Sequence, residues 1–484
     1  MKERTHSGRR PDILWIVTDH HAYYGHKGVK RPNFDRLRAG GVTFERAYCS
    51  TPLCCPSRKS MVTGLYACHH GQINNGEGLV APEDEKQNYL QALAQAGYEN
   101  YYFGKWHAGS GCPGDFGAKG ISYPGYSHPY HQPEYQEYIK RKHLPAAAML
   151  VEKNMCEQGW IEDAVEGEVY PFTHNMLNEV LAGILTGPKE SHEAYYYADA
   201  AVRCLEQISE ERKNGKNVPF SLRMDIYGPH QPYHPTREFT DMYPPESIPL
   251  YPNYDDSLED KPQAYQFETG RGISEKKRLK RPGKWTWEDW QLILSRCYGQ
   301  ITLIDDAVGQ VLDRLEELGM AENTLVLWTS DHGDAVACHG GHTDKQAYMP
   351  EEVMRIPLAM RYPGVIPAQT VSKKLVSNVD LAPSILDAAV TAFSHPVDGL
   401  SLLALFRENG GAWRDAVYAE TYGHAYPCRG KMIAEERYKY VWNEGDREEL
   451  YDLEEDPYEL HNLAVKGGYE EVMGQMRGRL EQWC

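Results

Sequence analysis

The sequence predicts an α/β fold, with a mostly parallel central sheet followed by a small antiparallel unit at the C-terminal end. Three observations carry that prediction. Strand-sized apolar runs without polar alternation recur before residue 330, the pattern of strands buried on both faces. Stretches with apolar residues at helical spacing lie between them. From about residue 406 the texture changes to short strand-like runs broken by polar turns.

Taken in order, the first run is Asp-Ile-Leu-Trp-Ile-Val-Thr at 12–18, which stops at Asp19-His20-His21. Similar runs lie at 98–103, 219–226 and 323–329. These lead into Gly104-Lys105-Trp106-His107, Gly228-Pro229-His230 and Ser330-Asp331-His332-Gly333. In open α/β sheets ligands sit beyond the carboxyl ends of the strands, so reactive residues repeated there point to one shared site. Residues 88–97 read as a helix. A longer one spans 286–318, opening on Thr-Trp-Glu-Asp, which resembles a capping box, and ending at Gly319. Residues 110–145 and 228–285, rich in Tyr, Pro, His and Gly without a clean period, read as long loops over the reactive edge. The runs 416–420, 431–434 and 437–442 and a terminal helix near 468–482 form the small unit. The expected division is a catalytic domain over 1–405 and a subdomain over 406–484.

Composition limits the function classes. A chain of 484 residues with 41% hydrophobic content suits one large domain and a smaller one. The formal net charge of −18 argues against nucleic acid as a partner, because phosphate binding needs an excess of Lys and Arg. An anionic substrate would have to be drawn by a local cluster of positive groups. No segment approaches the ~20 apolar residues of a membrane span, and Met1–Arg10 is polar and basic, unlike a secretion signal. The eleven cysteines lack metal-finger spacing and read as free thiols in a cytoplasmic protein.

The strongest chemical signal is local. Cys54-Cys55-Pro56-Ser57-Arg58-Lys59-Ser60-Met61-Val62-Thr63-Gly64 resembles the signature of the formylglycine-dependent sulfatases, C-x-P-S-R followed after four residues by T-G. A Cys pair alone would read as structural; Pro, Ser, Arg, Thr and Gly in register displace that reading, and the spacing to Pro56 and Arg58 selects Cys54. Gly104-Lys105-Trp106-His107 resembles that family's G-K-W-H, Pro229-His230-Gln231-Pro232 its P-H-x-P, and Lys345 precedes Tyr348, Glu351 and Glu352 as in the family. Pro32-Asn33-Phe34-Asp35-Arg36-Leu37 and Glu449-Leu450-Tyr451-Asp452-Leu453 extend the likeness over nearly the whole chain.

The resemblance implies an alkaline-phosphatase-like sandwich and a nucleophile made by oxidising Cys54 to formylglycine. One hydroxyl of the hydrated aldehyde attacks sulfur and the other then expels sulfate. It further implies that Arg58 and Lys105 hold the formylglycine, that His107 takes the proton on collapse, and that His230 and Lys345 grip the sulfate oxygens. Asp19, Asp331 and His332, with the Cys54-derived hydroxyl, are implied ligands of a divalent metal. Carboxylates suit Ca²⁺, with Mg²⁺ or Mn²⁺ as alternatives, while His tilts toward a transition metal. His20 stands where the family usually has Asp, Asn or Gln; it reads as a ligand or as a satisfied turn residue. His339 and His342 read as substrate contacts or as supports. The basic run Lys276–Arg281 reads as a solvated loop before a helix rather than as a lip for anions.

The implied partners are a small-molecule sulfate ester (aryl, steroid or sugar) and a formylglycine-generating maturation enzyme, with no nucleic acid or membrane. A phosphonate monoester or phosphodiester hydrolase on the same site is the second reading. An inactive anion-binding protein with unconverted Cys54 is the third, against which Lys105, His107, His230 and Lys345 weigh.

Overall fold

The computed structural model describes residues 9–484 except 24–27, 77, 125–127, 155–163, 173–179, 269–284, 346–347, 408–411 and 425–427. The basic run 276–281 lies outside the described residues. Among the described residues eight strands form the main sheet: β1 (Asp12–Asp19), β2 (Val42–Phe44), β3 (Glu99–Lys105), β4 (Ala118–Tyr123), β5 (Phe220–Pro229), β6 (Thr324–Ser330), β7 (Leu358–Arg361) and β8 (Thr370–Ser372). Their order is β8-β2-β7-β6-β1-β5-β3-β4, and β7 alone among them runs antiparallel to its neighbours. The four apolar runs of the sequence are therefore the adjacent central strands β6-β1-β5-β3.

Alternate residues of β1 enter different layers, as the pleat demands. Ile13, Trp15 and Val17 pack with Met61 and Val62 of α1 (Cys54–Thr63) and with Leu90 and Leu93 of α2 (Tyr89–Gln95). Leu14 and Ile16 pack with Leu205 and Ile208 of α3 (Glu193–Lys213) and with Leu303, Ile304 and Val308 of α4 (Trp287–Glu317). The result is a sheet between two helical layers. Helix α4 starts where its sequence indicates: Thr286 and Asp289 form a reciprocal capping box.

The second sheet, β9 (Val417–Thr421), β10 (Gly430–Ala434), β11 (Tyr438–Asn443) and β12 (Glu449–Asp452), is wholly antiparallel. One face, through Ile433, Tyr440 and Leu450, covers Met476 and Leu480 of α5 (Glu470–Gln482), while Val417, Ala419, Met432 and Val441 join the large core.

Two expectations need correction. Residues 110–145 are more than a loop: they contain β4 and the helix Pro133–Lys142. Strand β4 escaped notice because it is an edge strand whose residues are half-buried or exposed, so Ala-Lys-Gly-Ile-Ser-Tyr carries no apolar run. The cysteines are not all free thiols either. Cys68 and Cys484 form a disulfide across 416 residues, because the end of the chain packs on the short helix Ala67–His70, with Trp483 edge-on to Tyr66. A pairing that depends on tertiary packing leaves no mark in local spacing.

Candidate active site

The parallel register brings the carboxyl ends of β1, β3, β5 and β6 to one edge. Thr18 lies beside Ser330, Asp19 beside Pro229 and Gly104 beside Asp225. The approach of β3 to β5 is close enough to require glycine: a Cβ on Gly104, whose φ is +113°, would lie 1.8 Å from the Asp225 carbonyl oxygen.

Helix α1 carries Cys54 into this edge. Cys54 is its first residue, and all ten of its residues are buried. Ser57 Oγ donates to the Asp331 carbonyl (2.6 Å) and accepts from Asn378 Nδ2 (2.8 Å), which fixes the helix against the end of β6. The Cys54 thiol lies 3.2 Å from His332 Nε2, 3.8 Å from Asp19 Oδ1 and 3.9 Å from His20 Nε2. Burial pushes this thiol up to about 12, with Lys105 and Lys345 only partly opposing it. An unmodified Cys54 is therefore protonated at neutral pH and a poor nucleophile, since the thiolate is the reactive form.

Arg58 lies one turn along α1 and binds carboxylates rather than Sγ. Its Nε donates to Asp331 Oδ2 (2.9 Å), its Nη1 to Asp225 Oδ2 (2.7 Å), and Nη2 is 3.7 Å from Asp19 Oδ2. Lys105, at the end of β3, donates to Asp19 Oδ2. Burial alone would raise the pKa of Asp19, but Lys105 and Arg58 outweigh it and hold the carboxyl well below its ordinary range. His107 follows two residues later, buried; burial, then Lys105 and Arg58, push its pKa well down, so it is a neutral base. His230 donates through Nδ1 to the Gln231 carbonyl (2.7 Å), and its ring lies 3.9 Å from that of His20. Burial and Lys345 lower its pKa to about 3. Lys345 Nζ donates to Asp344 Oδ1 and to His20 Nε2, each at 2.8 Å.

Asp19, His20, Cys54 and His332 each direct one ligand-type atom into a common space, these atoms lying within 4.8 Å of one another. This buried set fits a divalent cation. Asp331 lies beside the set. Its Oδ2 accepts from Arg58 and its Oδ1 from the backbone N–H of His332 (2.9 Å) and of His20 (3.3 Å). His339 and His342 stand away from this centre. His339 Nδ1 is 2.9 Å from Asp256 Oδ2, and His342 bonds the Tyr265 carbonyl (2.9 Å), so both support the loop that carries Lys345.

The sequence reading passed over Asp225, Arg223 and Glu193. Asp225 accepts from Arg58, Tyr102 and Arg223; Glu193 accepts from the N–H groups of Gly228 (3.0 Å) and Tyr227 (3.4 Å) and so anchors the turn before His230. A signal for Asp225 and Arg223 was present, since they are two opposite charges two residues apart inside a strand-sized run. Glu193 sits at the start of a helix and offers none.

With this geometry in view, the comparisons are consistent. The sulfatase family model matches residues 11–391, and a model described as the C-terminal region of N-sulphoglucosamine sulphohydrolase matches 339–484. The chain belongs to the sulfatase family, within the alkaline phosphatase superfamily, and is a sulfuric ester hydrolase. It is similar to an N-acetylglucosamine-6-O-sulfatase of Bacteroides thetaiotaomicron (25% identical, covering 99% of this chain and 87% of that protein). It is likewise similar to an arylsulfatase of Clostridium perfringens (26%, covering 97% and 93%). Among solved structures, a phosphonate monoester hydrolase of Agrobacterium radiobacter superposes with a TM-score of 0.74 at 23% identity, covering 98% of this chain and 95% of that one. The protein BT4656, solved with its substrate D-glucosamine-2-N,6-O-disulfate, gives 0.71 at 22%, covering 98% and 97%. Both share the fold described above.

Proposed function

We propose that this sulfatase hydrolyses the sulfate ester of a sugar or an aryl alcohol through a formylglycine made from Cys54 by a maturation enzyme, with one divalent ion in the same centre. The observation that supports this most is the position of Cys54. Its buried sulfur heads a fixed helix within 3.9 Å of Asp19, His20 and His332, yet burial disfavours the thiolate that would be needed for attack. Asp19, His332 and His20, beside Asp331, would hold the ion. Once bound, it would stabilise negative charge on the nucleophile and on a sulfate oxygen.

The remaining residues have roles that follow from their surroundings. Lys105 and Arg58 keep Asp19 ionised. His107, neutral by burial, accepts the hydroxyl proton when the sulfated intermediate collapses to aldehyde and inorganic sulfate. Lys345 and His230 face the anion, with Lys345 charged because Asp344 and other acidic neighbours outweigh the cost of its burial. The names of the N-acetylglucosamine-6-O-sulfatase and arylsulfatase relatives favour sugar and aryl esters.

The likeness to phosphonate monoester hydrolases, with TM-scores of 0.74 and 0.76, favours a second reading in which the tetrahedral centre is phosphorus. Kinetics on 4-nitrophenyl sulfate, glucosamine 6-sulfate and a phenyl phosphonate monoester, with formylglycine content verified by peptide mass spectrometry, decide between them. A kcat/KM favouring the phosphonate by a hundredfold would reverse the order. No turnover of any ester by fully converted protein would leave only anion binding.

A further inference from the structure

We propose that Cys68, His69 and Cys484, when the bond between the two cysteines is reduced, bind one Zn²⁺ ion that holds Trp483-Cys484 to the helix Ala67–His70. This cluster is separate from the one around Cys54, and the proposal does not depend on which ester that centre hydrolyses.

The three side chains offer two sulfurs and one imidazole nitrogen, all within 4.8 Å of one another. A tetrahedral zinc, with bonds of about 2.3 Å to sulfur and about 2.0 Å to nitrogen, keeps a sulfur and a nitrogen ligand roughly 3.6 Å apart. Cys484 Sγ and His69 Nε2 already lie 3.5 Å apart. The two sulfurs are joined in the disulfide form and must part to roughly 3.8 Å to share an ion. Cys484 is exposed and Cys68 half-buried, so that separation displaces no core side chain.

The imidazole is turned so that a lone pair faces the sulfurs. His69 Nδ1 lies 2.8 and 3.0 Å from the two carboxylate oxygens of Asp398, which is itself held by the backbone N–H of Tyr66 at 2.8 Å. A carboxylate only accepts, so Nδ1 carries the hydrogen and, in the neutral ring, Nε2 carries the lone pair. The sulfur that Nε2 faces has no hydrogen to give, either in the disulfide or as a thiolate. A far N–H held by a carboxylate is the usual arrangement of a ligating histidine.

The position of Cys484 does not hang on the sulfur bond alone. Trp483 stacks on Tyr418, with ring centres 5.1 Å apart, and stands edge-on to Tyr66 at 5.0 Å. Lys431 Nζ donates to the main-chain oxygens of Trp483 and Cys484 at 3.2 and 2.8 Å. On the other side, the Cys68 N–H donates to Glu420 Oε1 at 2.7 Å. Both cysteines therefore stay beside His69 after reduction, where a metal can replace the covalent link.

Two thiolates and an imidazole, with water as the fourth ligand, favour Zn²⁺ over hard cations. A small-molecule thiol opens the site. Two R–SH reduce the Cys68–Cys484 bond to two thiols and leave as R–S–S–R, and Zn²⁺ binding by the two thiolates then releases two protons. An R–S–S–R oxidant reverses both steps and frees the ion.

The test compares full-length protein reduced with a water-soluble phosphine and the same protein oxidised, each titrated with Zn²⁺ against a chromophoric chelator. The reduced form is expected to bind one more Zn²⁺ per chain than the oxidised form, a difference that cancels any ion taken equally by the Cys54 centre. The extra equivalent is expected to persist in Cys54→Ala, to be lost in Cys484→Ser and to bind roughly tenfold or more weakly in His69→Ala. Co²⁺ in its place is expected to show a thiolate-to-metal charge-transfer band that Cys484→Ser removes. Equal Zn²⁺ binding by the two forms, survival of the extra equivalent in Cys484→Ser, or unchanged affinity in His69→Ala would overturn the proposal. Failure of the sulfatase reading would move none of these readouts.

Discussion

Asp225 is the residue whose loss should be felt most widely in the site, although it touches neither the nucleophile nor the metal position. Its carboxylate accepts four buried hydrogen bonds, from Arg58 Nη1 (2.7 Å), Tyr102 Oη (2.8 Å), Arg223 Nε (2.7 Å) and Arg223 Nη2 (2.8 Å). Substituting Asn keeps the shape and one acceptor oxygen but turns the other oxygen into an NH₂ group facing a guanidinium. It also leaves two buried arginines short of one negative charge. Removing one partner from a buried ion pair costs about 3–5 kcal/mol. Unfolding entropy near the midpoint is about 2.1 cal/mol/K per residue, so over 484 residues each kcal/mol shifts Tm by about 1 °C. Asp225→Asn should therefore melt about 3–5 °C below wild type by circular dichroism. Arg58 would lose its anchor and draw Asp331 with it, and kcat/KM should fall by roughly 10–100-fold, as for other residues that orient metal-site ligands. Melting within 1 °C of wild type together with unaltered kcat/KM would show that Arg58 is positioned without Asp225, contrary to this account.

Cys54→Ala should lower turnover by on the order of 10⁴-fold or more while moving Tm by about 1 °C, because a small buried side chain is exchanged and the helix anchors at Ser57 remain; substantial residual activity would refute the nucleophile assignment. His339 gives a pH signature in stability. Burial opposes its charge, but Asp256 and Glu352 overcome that and raise its pKa to about 9, against an ordinary value of about 6.5. A raised pKa means that this contribution, about 3 kcal/mol, is complete below pH ~6.5 and lost as pH rises through about 9. The urea midpoint should fall over that window, and His339→Gln should flatten the fall; a wild-type midpoint constant to pH 9.5 would contradict the pairing. Cys484→Ser removes the bond to Cys68 and should speed thermolysin nicking of α5, with a difference between wild type and variant that disappears under dithiothreitol. Identical digestion rates without reductant would mean that the cross-link does not restrain the helix.

The features legible in the sequence were those carried by local pattern. The four central strands, helix α4 with its Thr286 cap, and the residues after each strand could be read because a doubly buried strand and a capping box are written in consecutive residues. The candidate catalytic groups were legible for a related reason: the carboxyl ends of parallel strands converge, so position after a strand is already a spatial statement. What escaped depends on distant partners. Glu193 is an ordinary helix-start glutamate until the turn at 227–228 folds over it, Cys68 and Cys484 lie 416 residues apart, and β4 pairs along only one edge. The hydrogen bond that Lys345 gives to His20 is of the same kind, since the two lie 325 residues apart.

One part of the reasoning from composition changes once the pairs are visible. A chain of net charge −18 needs a local positive centre to draw an anion, and Arg58, Lys105 and Lys345 are the cations that the motifs supply. In the structure each is already matched. Arg58 and Arg223 face Asp225 and Asp331, Lys105 faces Asp19, and Lys345 faces Asp344. Each of the four buried cations stands against a buried carboxylate, and Asp334 lies 3.8 Å from His20 as a further acid, so the protein groups offer no excess of positive charge. Bringing a sulfate monoester into such a centre would bury an uncompensated anion, which is costly. The proposed divalent ion supplies the missing charge, and the paired lysines and arginines then act by direction and hydrogen bonding rather than by excess. On this argument the carboxylates cancel the positive charge of the centre before any ion binds, so that affinity for the anion depends on the proposed metal being present.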